Sequence, residues 1–203
     1  LGNLELISGL MLFESSNNTN NWDRSINRII VRPAKLEDSR DLAVILAHSF
    51  YDFSEFWDWV YPLLQFTIYE DLRYRFRSRS PLYCCLVASS IDSQGAEQLV
   101  GTAEIAIRSP NFWSNNICYP YIANLAVKNN HRRLGVGTKL LSECERIALD
   151  WGYRETRLHV LASNNAAKQL YLGNGYQVCQ VEPYWGGLLI QGSCRLLLSK
   201  QHN

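Results

Sequence analysis

Apolar residues along the chain change their period in a regular order. RIIVRP (Arg28 to Pro33) reads as a strand, and Leu42, Ile45, Leu46 and Phe50 fall at helical spacing within Leu36 to Phe50. An aromatic-rich stretch from Tyr51 to Tyr61 leads into Leu63 to Arg77, also read as helical. CCLVAS and LVGTAEIAIR then read as strands of a hairpin joined by the turn-rich IDSQGAEQ. YIANLAV is a buried-strand run. The helix after it places Val136, Leu140, Leu141, Cys144, Ile147, Ala148 and Trp151 at three-to-four spacing and stops at Gly152. LHVLA is the next strand, Ser163 or Asn164 caps a helix through Tyr171 that ends near Gly175, and YQVCQV and LLIQGSCRLLLS close the chain as strands. Strands alternating with helices predict an α/β fold.

The polar tract ESSNNTNNW (residues 14 to 22) lacks apolar periodicity, so residues 1–27 are read as an N-terminal extension and 28–203 as one domain. Its 203 residues, 47% hydrophobic and 12% aromatic, suffice for a core without staples. Twenty Lys+Arg against nineteen Asp+Glu leave a net charge of +1, too little for a broad field toward nucleic acid or a membrane surface. The alternation of Arg73, Arg75, Arg77 and Arg79 with Tyr74 and Phe76 reads as a solvated helix end beside Glu70 and Asp71. The six cysteines form no Cys-x-x-Cys pair and the four histidines show no ligand spacing, so reduced thiols and no metal are expected. No apolar run reaches membrane-spanning length, and Leu1 to Phe13 carries Glu5 but no basic segment, so a cytoplasmic protein without a signal peptide is expected.

The sharpest chemistry lies in Arg132-Arg133-Leu134-Gly135-Val136-Gly137-Thr138, between a strand and a helix. Unpaired backbone N–H groups and the helix dipole converge there, which favours an anion. The glycines let a diphosphate approach the backbone, and Arg132, Arg133 and His131 add charge at the rim. The turn lacks the third glycine of Gly-x-Gly-x-x-Gly and the Lys-Ser/Thr ending of a Walker loop, which disfavours those nucleotide folds.

Leu125-Ala126-Val127, Arg132-x-x-Gly135-x-Gly137 and Asn164-x-x-Ala167-x-x-x-Tyr171-x-x-x-Gly175-Tyr176, in this order and spacing, resemble the GNAT acetyltransferase superfamily. Glu182-Pro183-Tyr184-Trp185 and the strand ending in RLLL resemble its cyanobacterial and plastid branch. The resemblance implies a mixed sheet of about six to seven strands with a splayed pair, flanked by about four helices. It also implies an acetyl-CoA-dependent N-acetyltransferase. Arg132 through Thr138 would hold the pyrophosphate. The backbone of Leu125, Ala126 and Val127 would pair with the pantetheine arm. Asn164 and Ala167 would follow the cofactor, and Tyr171 would set its hydroxyl beside the thioester sulfur; Asn164 also reads as a helix cap, and Tyr171 as a core residue.

Acetyl transfer needs a fixed donor for the charge developing on the acyl oxygen, a proton for the thiolate and a neutral amine. The backbone N–H near Leu125 or Ala126 fits the first and the Tyr171 phenol the second. For the base, His159 and Glu104 stand level, Tyr121 is a third choice, and solvent is the alternative. His159 stands near the place where some family members carry a strand carboxylate, and Asn129-Asn130 depart from the family's frequent proline. The expected acceptor is a protein or peptide amine, an N-terminal α-amine and/or a lysine. The alternatives are a small arylalkylamine held by the aromatics of Tyr51 to Tyr61, or a silent acyl-CoA sensor. Tyr184 and Trp185 are further acceptor-wall candidates, and a monomer or homodimer is expected.

Overall fold

The computed structural model describes residues 29–50, 61–78, 80–91, 95–109, 118–183 and 194–202. The extension 1–27, the aromatics 51–60, Arg79, Tyr184 and Trp185 lie outside the described residues.

Seven strands and four α-helices form the described body: β1 (Ile29–Pro33), α1 (Ser39–Phe50), α2 (Tyr61–Ser78), β2 (Tyr83–Ile91), β3 (Glu97–Arg108), β4 (Tyr119–Val127), α3 (Val136–Asp150), β5 (Glu155–Leu161), α4 (Asn165–Gly173), β6 (Gln177–Pro183) and β7 (Cys194–Gln201). The sheet order is β1-β2-β3-β4-β5-β7-β6. Every neighbouring pair is antiparallel except β4 and β5, which run parallel and meet only at Tyr121 opposite Arg157 and Ile122 opposite Leu158. Beyond Ile122 the two strands part, which gives the splayed pair its opening.

Helices flank both faces. On one, α3 turns Val136, Leu140, Leu141, Cys144, Ile147 and Ala148 inward, as its spacing predicts, onto Leu86, Val100, Ile105, Ile122, Leu158 and Leu198. On the other, Leu42, Ile45 and Leu46 of α1 and Leu72 of α2 cover Cys85, Val87, Leu99 and Ala126. Each fully buried aliphatic side chain contributes roughly 1.5–3 kcal/mol. Gly152, at φ +87°, ends α3 in the left-handed region, and the Asn164 carboxamide starts α4 by accepting Ala167 N–H at 3.0 Å.

At two boundaries the structure departs from the periodicity reading because polar residues were recruited. The first helix opens as a single 3-10 turn at Leu36–Asp38, where Asp38 accepts the Lys35 N–H at 2.6 Å and the Arg32 guanidinium at 2.8 Å. β5 starts at Glu155, three residues before LHVLA. Its Arg157 pairs with Glu155 at 2.6 Å, and buried Thr156 bonds the Tyr176 hydroxyl at 2.8 Å and His202 Nε2 at 3.0 Å.

Candidate active site

The opening between β4 and β5 is shaped by one irregularity in β4. Against Thr102 and Glu104 of β3, β4 runs from Ala126 to Ala123, so it carries an extra residue. Asn124 absorbs it at φ +52°, a left-handed conformation that asparagine tolerates better than most residues. Its Nδ2 donates to Glu104 Oε1 at 2.9 Å, while Arg75 donates to Glu104 Oε2 at 2.7 Å. Glu104 is 3% exposed with both oxygens bound, a buried anion that ties α2 to the bulge and not a solvated strand residue.

Beyond the bulge, the Lys128 N–H reaches back to Val100 O on β3 at 2.8 Å. Alternation along the strand therefore turns the amides of Leu125 and Val127 toward the gap. Close approach of β3 and α3 needs Gly101, where an added Cβ would stand 3.0 Å from Ala126 O and 3.1 Å from Leu140 Cδ1. Gly137 likewise lets α3 approach α4, since its Cβ would stand 3.1 Å from Leu170 Cδ2.

The glycine turn follows. Arg133 at φ +64° and Gly135 at φ +78° bend the chain into α3. The backbone N–H groups of Arg133, Leu134, Gly135, Val136, Gly137 and Thr138 have no backbone acceptor among the described residues, the first being Lys139, which donates to Gly135 O at 3.0 Å. A row of free donors at a helix N-terminus suits a diphosphate. Arg132 Nε is tethered to Val127 O at 3.2 Å and an Arg133 N–H to Gln169 Oε1 at 3.3 Å, which holds both cations at the rim.

Tyr171 and the Tyr121–His159 pair approach the point where the strands part from opposite faces. Ile122 and Leu158 belong to the α3-side core together with Tyr171, so Tyr121 and His159 project from the other face. Tyr171 is 7% exposed, rests edge-on against Tyr176 with centroids 6.0 Å apart, and has no hydrogen-bond partner for its hydroxyl among the described residues. Burial, helped by Cys144 and Tyr121 nearby, pushes its pKa up to about 12.

The Tyr121 hydroxyl lies 2.8 Å from His159 Nδ1. His159 Nε2 is buried without a hydrogen bond, 3.4 Å from Glu182 Oε2, and Glu182 itself accepts from Arg195 Nε at 2.7 Å. Burial first, then the Arg195 charge, lower the His159 pKa below its ordinary value, with Glu182 opposing. The imidazole is neutral at pH 7. Beside this pair, a cavity of about 360 Å³ is lined by Arg75, Tyr83, Glu104, Arg108, Tyr121 and Ala123, among others. The Tyr83 hydroxyl is buried there with no partner.

The sequence-predicted residues thus fall into two groups. Arg132 to Thr138, Leu125 to Val127, Asn164, Ala167 and Tyr171 surround the gap and its turn, with Asn164 acting as the α4 cap. His159 and Glu104 lie beyond Tyr121 and beneath the bulge respectively. Arg75, Tyr83, Arg108 and Asn124 were not singled out for the site; an asparagine inside an apolar strand run was the one local sign of the bulge. Arg73 pairs with Glu70 at 3.1 Å, as a solvated helix end would, whereas Arg75 bridges Asp71 at 2.7 Å to the buried Glu104.

Residues 48–176 match the Acetyltransferase (GNAT) family, and the chain belongs to it. It is an acetyl-CoA-dependent N-acetyltransferase. It is 26% identical over 190 residues to GCN5-related N-acetyltransferase 10, chloroplastic, of Arabidopsis thaliana, covering 89% of this chain and 72% of that protein. It is 32% identical over 111 residues to a thialysine N-epsilon-acetyltransferase of Bos taurus, covering 53% of this chain and 64% of that protein. The PaiA N-acetyltransferase of Thermoplasma acidophilum, crystallised with coenzyme A, shares the fold with a TM-score of 0.63 and 22% identity, covering 86% of this chain and 99% of that one. No helix among the described residues is long and apolar enough to cross a membrane.

Proposed function

We propose that the enzyme acetylates a primary amine of a protein or peptide, an N-terminal α-amine and/or a lysine side chain, by direct attack in a ternary complex. The observation that carries this reading is the meeting of Tyr171, from one face, and the Tyr121–His159 pair, from the other, where β4 and β5 part.

Acetyl-CoA supplies an acetyl thioester when bound. Six free N–H groups from Arg133 to Thr138, with Arg132 at the rim, hold its diphosphate. The Leu125 and Val127 amides grip the pantetheine as a neighbouring strand would, and Ala126, Ala167 and Asn164 shape the channel. Of the two candidate amides for the acyl oxygen, that of Leu125 faces the gap and stabilises the charge that develops there, at no cost of reorganisation, while that of Ala126 turns toward β3. Tyr171, protonated throughout the neutral range, gives its proton to the departing sulfur.

On the acceptor side, the attacking nitrogen loses a proton to the Tyr121 oxygen while the Tyr121 hydroxyl proton passes to His159 Nδ1. The resulting imidazolium lies beside the Glu182 carboxylate. Glu104, with both oxygens committed, positions the bulge; this role replaces that of base. Neutral amine supply favours α-amines. With ordinary pKa values near 8 for an α-amine and 10.4 for lysine, roughly a tenth of α-amines but under a thousandth of lysines are neutral at pH 7. All six cysteines are unpaired, which supports a reducing compartment such as the cytoplasm.

The test is a mixed pool of peptides with free and blocked N-termini, competed against lysine-like and arylalkyl small amines, with products mapped by mass spectrometry. Acetylated peptide amines are expected. Acetylation confined to small amines, which the cattle relative's name would favour, overturns the peptide reading; bound acetyl-CoA with no released thiol would make the protein a sensor.

A further inference from the structure

The cavity beside Tyr121 and His159 holds one cation that no carboxylate among the described residues neutralises. Of its charged lining groups, Glu104 is bound by Arg75 and Asn124, and Arg75 is shared between Glu104 and Asp71. Arg108 has no acidic partner among the described residues. Its guanidinium carbon stands 3.7 Å from the centroid of the Tyr121 ring. That ring is 8% exposed and pinned through its hydroxyl to His159.

We infer that Arg108 selects acceptors that carry a carboxylate close to the reacting amine, an acidic side chain within the first few residues of the peptide. The inference rests on the peptide-amine reading above. Stacking on Tyr121 uses the face of the guanidinium and leaves its N–H groups pointing outward in the plane, the geometry that grips a carboxylate with two parallel hydrogen bonds. Because Tyr121 is fixed, the guanidinium is held in place before the acceptor arrives, and less ordering entropy is lost on binding. The site also sits one ring from the proposed base: Arg108 stacks on Tyr121, and the Tyr121 and His159 centroids are 5.6 Å apart. A carboxylate held there leaves its own amine within reach of the Tyr121 oxygen. The Tyr83 hydroxyl, buried and unpartnered in the same cavity, offers a further donor.

The experiment compares peptides that differ only by Asp or Asn, or Glu or Gln, at each of the first three positions. The specificity constant is measured for the wild type, Arg108→Gln and Arg108→Lys, and the same peptides are titrated by calorimetry into protein saturated with coenzyme A. Because Arg108 is exposed, we expect about a five- to tenfold preference for the acidic peptide at one position, expressed in KM and in binding, and shrinking with added salt. Arg108→Gln abolishes the acidic-to-neutral ratio and Arg108→Lys retains part of it. Equal use of acidic and neutral peptides by the wild type, or an unchanged ratio in Arg108→Gln, overturns this role while leaving peptide acetylation intact. Failure of the wild type to acetylate any peptide overturns the peptide reading and this inference with it.

Discussion

The hydroxyl of Tyr121 and Nδ1 of His159 stand 2.8 Å apart on neighbouring parallel strands, where those strands last pair before they separate. On the proposed mechanism the neutral imidazole accepts the phenol proton at this distance, and the two side chains act as one proton acceptor. Tyr121→Phe removes the connecting oxygen and is expected to lower kcat/KM by about 10- to 100-fold, with acetyl-CoA affinity unchanged. Steady-state kinetics alongside calorimetry checks this; wild-type kcat/KM in the variant would remove the pair from proton transfer.

Acidification provides a separate check on His159. Its folded pKa is depressed, mainly by burial, so the unfolded state takes up the proton more readily. Stability is therefore lost as pH falls below about 6.5, and the loss levels off below the folded pKa. His131 and His202 are depressed in the same direction, again chiefly by burial, and add to it. Urea unfolding at pH 7.5 and pH 5 should show the wild type losing more stability than His159→Gln; an equal loss in both would contradict a neutral, buried His159.

Introducing carboxylates at the turn tests the diphosphate site. Gly135→Asp with Gly137→Asp places negative charge where six donors converge, and forces a side chain at φ +78°. Acetyl-CoA binding by calorimetry should weaken by at least about 100-fold in protein that remains folded by circular dichroism. Retained affinity in a folded variant would move the diphosphate elsewhere.

Crowding at Gly101 reaches the same opening from behind. A Cβ 3.0 Å from the Ala126 carbonyl meets backbone, which cannot swing aside as a side chain can. Gly101→Ala should cost about 1–3 kcal/mol and push β4 out of register with β3. Denaturant unfolding measures the cost, and weaker acetyl-CoA binding should accompany it. Unchanged stability would show that β4 can give way.

The fold was legible wherever burial imposed a period. The α3 stripe, the β2–β3 hairpin and the glycine stops at Gly152 and Gly175 all follow from local rules, and the Arg132 to Thr138 turn announces its donors by its glycines. Less was visible where polar side chains pair across long sequence gaps. Glu104 reads as a candidate base until Arg75, 29 residues earlier, and Asn124, 20 residues later, are brought onto its two oxygens. Tyr121 and His159 are 38 residues apart, and only the parallel register makes them neighbours. The stacking of Arg108 on Tyr121 depends on the same assembly, since no periodicity encodes which strands adjoin.

Attack by an amine where β4 and β5 part, with Tyr171 protonating the departing sulfur, is to be followed by single-turnover kinetics with an α-amine peptide. Free thiol and acetylated peptide are followed together for the wild type and Tyr171→Phe, each saturated with acetyl-CoA. The wild type should release one thiol per peptide acetylated, and Tyr171→Phe should slow both by about 100-fold with little change in acetyl-CoA affinity. Full single-turnover rate in Tyr171→Phe would remove Tyr171 from the chemistry, and thiol release without peptide acetylation would rule out attack by the peptide amine.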